Sequence, residues 1–372
     1  MKASISQNQL CAVAFVMMLS PALRFFPTTA ARYAGRAAWL CALLAFLPAA
    51  GYLFLARRVL ARRVEGEGLC GLIARAVPGR GGRMALLVLG LWLCTYAGFI
   101  LRSGADRFIV AVYPNTPVSF FAGTMLLAAL CAAAASYRNT ARTAKLVLPA
   151  VGGVLAIVLL FALMSLRRDN LALRLPTGES AAPPLSGLAR GVLGALDVLL
   201  WAVYAAALLL PELKSERFSL PRLLGTLGLG CAVLALLCAE LVGSFGAALT
   251  AELSWPFFSL VRNLVFFRSI ERVEALAVAL WVFPDYLIVS LFLRAARDCF
   301  FSSLGRRFTL FADGRVVLPL CALLALVFAL TAAPDGAQLS ALSDRFIPAA
   351  SLFFALLFFP GLLGYGAAKG RI

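Results

Sequence analysis

Ten stretches of mostly apolar residues alternate with polar connections along the chain. They run over about 9–30, 37–56, 83–101, 118–136, 144–165, 188–210, 221–243, 274–296, 315–333 and 346–367. A helix needs roughly 20 mostly apolar residues to cross the hydrocarbon core of a bilayer. There every backbone amide must be bonded within its own segment, so the pattern predicts helices. The first stretch follows Lys2 as a signal peptide would, but Arg24 and the nine later spans predict a retained helix. The expected fold is therefore an all-α, polytopic membrane protein with about ten transmembrane helices.

Two connections are longer than the rest. Residues 166–187, rich in Pro, Gly and Ser, divide the chain into five spans and five spans. Five is odd, so the second half would enter the membrane from the opposite side, as in the inverted repeats of many secondary transporters. The expected organisation is one transmembrane domain over 1–372, with a first repeat over about 1–165, a linker over 166–187 and a second repeat over about 188–372. Residues 244–273 carry apolar patches (Trp255 to Phe258, Leu264 to Phe267) broken by Arg262, Arg268, Glu271 and Arg272. They predict a short helix or re-entrant cap at the outer face. Leu69 to Val77 predicts a similar interfacial piece inside.

Composition agrees with this reading. Apolar residues make up 62% of the chain and charged ones 14%, whereas soluble domains are about a quarter charged. Net charge is +17. The arginines lie in short loops, where they fix topology and meet anionic lipid, so nucleic acid is not an expected partner. With the N-terminus inside, 21 of the 34 basic residues are cytoplasmic. Arg57-Arg58 and Arg62-Arg63 form the densest block and place both termini inside. There is no His, which removes Ser-His-Asp and Cys-His catalysis. Nine Cys without a CxxC read as small packing residues, and no Walker loop or dinucleotide fingerprint is present. No enzyme activity, metal or cofactor is expected.

Ionisable groups at mid-membrane cost several kcal/mol and call for a reason. Ser20-Pro21 lies near the middle of span 1, where proline removes a backbone hydrogen bond and frees the carbonyls near Met17. Those carbonyls point to either a lined cavity or a packed kink. Asp197 in span 6 sits about ten residues from the outer end, near mid-depth at about 1.5 Å per residue. Trp201 at i+4 and Tyr204 at i+7 share its face. Span 8 carries Asp285 and Tyr286 after Pro284, and span 3 carries Tyr96. The two carboxylates are candidates to hold a cation, a proton or an amino group, or simply to pair with Arg24. Glu240 reads as a cap near the outer end of span 7. Arg294 and Arg297 read as snorkelling residues at the inner end of span 8.

Several stretches together resemble the GerAB family, the B subunits of bacterial spore germinant receptors. They are Ile5-Ser6-Gln7-Asn8-Gln9-Leu10, the Pro27 region, Ala34-Gly35-Arg36-Ala37-Ala38-Trp39-Leu40, Ser254-Trp255-Pro256-Phe257-Phe258-Ser259-Leu260-Val261-Arg262, Ile270-Glu271-Arg272-Val273-Glu274-Ala275 and Trp281. The resemblance implies an amino-acid-permease-like (LeuT-like) fold of ten helices. It implies a germinant site between spans 1, 3, 6 and 8, near Ser20, Pro21, Tyr96, Asp197 and Asp285. It further implies A and C subunit partners in the spore inner membrane. Span 1 of that family carries glycines at its break, and here the run Met17 to Leu23 has none, so Arg24 is the candidate to bind a ligand carboxylate. The expected function is sensing of a small nutrient such as an amino acid. The alternative is an amino-acid or cation-coupled secondary transporter.

Overall fold

In the computed structural model the described residues are 5–24, 26–60, 67–111, 113–171, 185–209, 212–213, 219–263, 273–304 and 314–371. Helices account for all ten expected spans. Span 1 consists of α1 (Gln7–Arg24) and α2 (Phe26–Ala34), and span 2 is α3 (Ala38–Leu60). The short helix α4 (Leu69–Ala76) precedes α5 (Arg80–Ala111), α6 (Val118–Ala134) and α7 (Tyr137–Ala162), which are spans 3 to 5. The short α8 (Arg168–Leu171) follows, then spans 6 and 7, α9 (Leu185–Leu209) and α10 (Leu220–Phe245). Two short helices, α11 (Ala247–Glu252) and α12 (Pro256–Asn263), lead to span 8, α13 (Val273–Leu304). Spans 9 and 10 are α14 (Gly314–Thr331) and the long α15 (Gly336–Ala368). Among the described residues no strand forms, and one isolated bridge joins Ile5 to Leu213.

Local chemistry sets several boundaries. Ser136 caps α7 by accepting from the Asn139 amide, and Asp335 caps α15 by accepting from that of Gln338. Gly246, at φ 81°, ends α10 and starts α11, in a left-handed conformation that disfavours a β-carbon. Pro21 does not break the helix near the middle of span 1: α1 continues through it to Arg24, and α2 begins at Phe26. The interfacial expectations at 69–77 and 244–263 appear as α4, α11 and α12. Leu264 to Phe267, Arg62-Arg63 and linker residues 172–184 lie outside the described residues.

The spans pack as two sets. α3, α9 and α10 contact one another and α1 and α2, while α5, α6, α13 and α14 form the second set. α1 touches both sets, through α9 and through α13. Small residues permit the closest approaches in the second set. A β-carbon on Gly98 would lie 2.4 Å from the Ala325 carbonyl oxygen of α14. Leu43, Leu47 and Phe54 of α3 and Leu323 and Val327 of α14 are exposed, as lipid-facing side chains must be. Six described helices are long and apolar enough to cross a membrane, with α2 and α3 running together as one of them. α6 and α14 are shorter apolar helices.

Candidate functional site

Helical spacing puts Ser20 and Arg24 on one face of α1, turned toward α13. There the Arg24 guanidinium donates to Asp285 Oδ1 at 2.5 Å and to Ser20 Oγ at 3.0 Å. Ser20 also donates to Asp285 Oδ1, and Arg107 of α5 donates to Asp285 Oδ2. A further Arg24 bond, at 2.6 Å, reaches Ser103 Oγ of α5. Asp285, Arg24 and Arg107 are all buried. Gly104 of α5 lies beside this cluster: a β-carbon there would lie 2.8 Å from Met125 Cε of α6 and 3.5 Å, an ordinary contact, from Asp285 Oδ2.

Two guanidinium groups on one carboxylate leave one net positive charge inside the protein. Arginine does not lose its proton at accessible pH, so the charge is permanent. Aromatic faces soften its burial. Arg24 lies 5.8 Å from the Phe99 ring centroid, and Arg107 lies 5.6 Å from Trp255 and 5.8 Å from Phe258. The neighbouring Asp106 does not cancel the charge, because Arg102 pairs with it at 3.3 Å. Trp255 Nε1 donates to Asp106 at 3.3 Å, which holds α12 over Arg107 on the outer side.

A second pole, built on a carboxyl group, is carried by α9. Asp197, Trp201 and Tyr204 are buried together on the shared face expected from their spacing. Asp197 Oδ1, Trp201 Nε1 and Ser351 Oγ of α15 are buried with no hydrogen-bond partner among the described residues. The Ser351 hydroxyl lies beside the Asp197 carboxyl, and the Ser351 carbonyl accepts from Tyr204 OH at 3.3 Å. Buried polar groups without partners are costly and rare.

Tyr96 connects the poles. Its ring centroid lies 4.6 Å from that of Trp201 and 5.5 Å from that of Phe292, and it is within electrostatic reach of both Arg24 and Asp197. The structure thus gathers Ser20, Arg24 and Asp285 at one pole and Asp197, Trp201 and Tyr204 at the other, with Tyr96 between. Pro21 stays within the helical path beside Ser20. Tyr286, one residue from Asp285, is not brought in: it is half-buried and faces Cys131 of α6.

Sequence reasoning missed Arg107 and Ser103 because it ended span 3 at residue 101, whereas α5 runs on to Ala111. The available signal was spacing, since Tyr96, Phe99, Ser103 and Arg107 recur at three and four residues on one helix face. Two further readings change. Glu240 does not cap span 7: it is fully buried five residues before the helix end, and neither carboxylate oxygen has a hydrogen-bond partner among the described residues. Arg294 does not snorkel freely. It donates to the Ala133 carbonyl at 3.0 Å and to that of Ala135 at the C-terminus of α6, lying over Tyr137.

Residues 4–335 match the family described as spore germination protein. The chain belongs to the spore germination protein family. No curated protein matches it in sequence. Solved structures share its fold. One is Mhp1, a nucleobase-cation-symport-1 family transporter in a closed conformation with bromovinylhydantoin bound. It has a TM-score of 0.59 and 13% identity, over 94% of this chain and 76% of that one. Another is MhsT in complex with L-phenylalanine, with a TM-score of 0.61 and 14% identity, over 100% of this chain and 97% of that one. This spore germination protein is thus an integral membrane protein with the all-helical, LeuT-like fold of amino-acid-permease-type transporters. The Trp255 segment, on which the family resemblance rested, is the piece that covers Arg107.

Proposed function

We propose that this spore germination protein senses a small zwitterion of the amino-acid class. The ligand carboxylate meets Arg24 and Arg107, and the ammonium meets Asp197 and Ser351. The observation that carries this reading is the permanent excess positive charge at Asp285, set across Tyr96 from an unpaired carboxylate. A molecule bearing both charges satisfies both poles at once. MhsT, of the same fold, is a structure with L-phenylalanine bound, which supports an amino acid as the ligand class.

Sensing is favoured over cation-coupled uptake by the state of Asp285. Both its oxygens are held by guanidinium groups, so the positive charge beside it is covalently part of the chain. The ligand acts by binding one conformation better than another, since only differential affinity shifts such an equilibrium. The protein works in the spore inner membrane with A and C subunits, and both termini are cytoplasmic. Its two halves, about 1–165 and 188–372, are inverted repeats. The packing of spans 1, 2, 6 and 7 against one another, and of 3, 4, 8 and 9, supports this because partners in each set are five spans apart.

A second reading, an amino-acid or cation-coupled transporter, draws on Asp197 Oδ1 and Ser351 Oγ, two unpaired oxygens able to hold a small cation. Proteoliposomes with labelled amino acids decide between the two. Saturable binding without accumulation under an imposed ion gradient is the expected result, and gradient-driven accumulation would establish the transporter instead. Loss of binding in Asp197→Asn tests the site itself.

A further inference from the structure

A cavity of about 390 Å³ lies against Tyr204 on the side away from Asp197. Tyr52 and Arg58 of α3, Tyr204 of α9, and Phe359, Leu363 and Gly364 of α15 line it. Its size falls within the range of small-molecule sites, roughly 300–1,000 Å³. The wall is almost entirely apolar, and among the described residues Arg58 is the one charged residue on it. Beside the lining residues, α3 exposes Phe54 and Leu55 and α15 exposes Leu357 and Tyr365, apolar side chains of the kind that meet lipid. A buried water needs two to four polar partners, which such a wall does not supply. Hydrocarbon fits it.

Arg57 and Arg58 occupy the last turn of α3, at the membrane end of the cavity. Basic residues at that depth attract anionic lipid head groups. We propose that the cavity holds an acyl chain of an anionic phospholipid from the leaflet at the Arg58 end, with the lipid phosphate on Arg58. Charge at the mouth and apolar surface within are the two parts of one amphiphile.

The lipid reaches the second pole through few atoms. Tyr204 separates the cavity from Ser351, and its ring centroid lies 5.7 Å from that of Phe359. α15 has a widened, π-helical turn at Phe354–Phe358, and the Ala355 carbonyl within it accepts from Tyr52 OH. A chain seated here presses on Tyr204 and on that turn, and so biases where Ser351 sits. This coupling rests on the reading of Asp197 and Ser351 as ligand groups, whereas lipid binding does not.

The test uses the purified full-length protein and phosphatidylglycerol carrying a diazirine at the end of one acyl chain, with adducts mapped by mass spectrometry. Adducts are expected on the cavity faces of α3, α9 and α15. The same chain on phosphatidylcholine, or Arg58→Gln with phosphatidylglycerol, should label about fivefold less, while Arg58→Lys retains labelling. Excess inorganic phosphate should not compete. A β-carbon on Gly364 meets nothing within 4 Å, so Gly364→Phe projects into the cavity and should abolish the adducts. If that variant is not monodisperse, Leu363→Trp provides the same block. Equal labelling by the two lipids overturns the head-group assignment, and labelling that survives the blocking variants overturns the site. Germinant binding is measured separately, so a lipid result is independent of whether the amino-acid reading stands.

Discussion

Asp285 illustrates how charge arithmetic at single residues predicts variant behaviour. The cluster it forms with Arg24 and Arg107 carries one net positive charge. Asp285→Asn raises that to two, and removing a partner from a buried ion pair costs about 3–5 kcal/mol. Arg107→Gln lowers it to zero and leaves the Arg24–Asp285 pair, so it should melt well above Asp285→Asn in detergent. It should nonetheless weaken amino-acid binding by about 10- to 150-fold, the worth of a hydrogen bond to a charged group. A melting series in which Arg107→Gln is the less stable of the two would refute this arithmetic. Asp197→Asn is expected to keep the melting temperature of the parent, because asparagine retains an acceptor oxygen beside Ser351 and no ion pair is lost among the described residues. Calorimetry with amino acids should show the ligand loss alone.

Elements carry the site through close approach. Gly104 of α5 lies against Met125 of α6 and beside Asp285, so Gly104→Leu overfills that contact and should cost about 1–3 kcal/mol. The same melting assay reads it, and a neutral result would mean that the Met125 side chain gives way. Away from the site, Cys70 Sγ of α4 lies 3.4 Å from Cys299 Sγ of α13. A disulfide closes at about 2.0 Å with modest side-chain rotation. A variant retaining these two cysteines should therefore lose both thiols to mild oxidation with diamide, counted by maleimide mass tags. Two tags surviving would place α4 elsewhere. The spans were legible because length and apolarity suffice to define them. The end of α5 was not, because Arg102, Asp106 and Arg107 look like a loop until neighbouring helices bury and pair them.

Across the whole molecule, the two packed sets meet at α1, which supplies Ser20 and Arg24 to one side and contacts α9 on the other. Ligand that bridges Arg24 and Asp197 therefore spans the junction between the sets, where a change in their relative position alters both poles. Because the positive charge at the junction belongs to arginine, binding to the reconstituted protein should be unchanged when sodium is replaced by choline. A sodium requirement would point to a cation held at Asp197.

The sequence by itself determined that the chain crosses the membrane about ten times, since apolar length is a local property that lipid reads directly. It also marked spans 1, 3, 6 and 8 as carrying polar groups at depth. Asp197 and Asp285 look alike there, each a carboxylate in mid-helix. The tertiary structure alone decided that Asp285 pairs with arginine and Asp197, among the described residues, does not. Arg107 and Asp285 are separated by 178 positions, and only helix packing sets which buried charges meet. Coulombic pairing depends on that proximity, which no local pattern encodes.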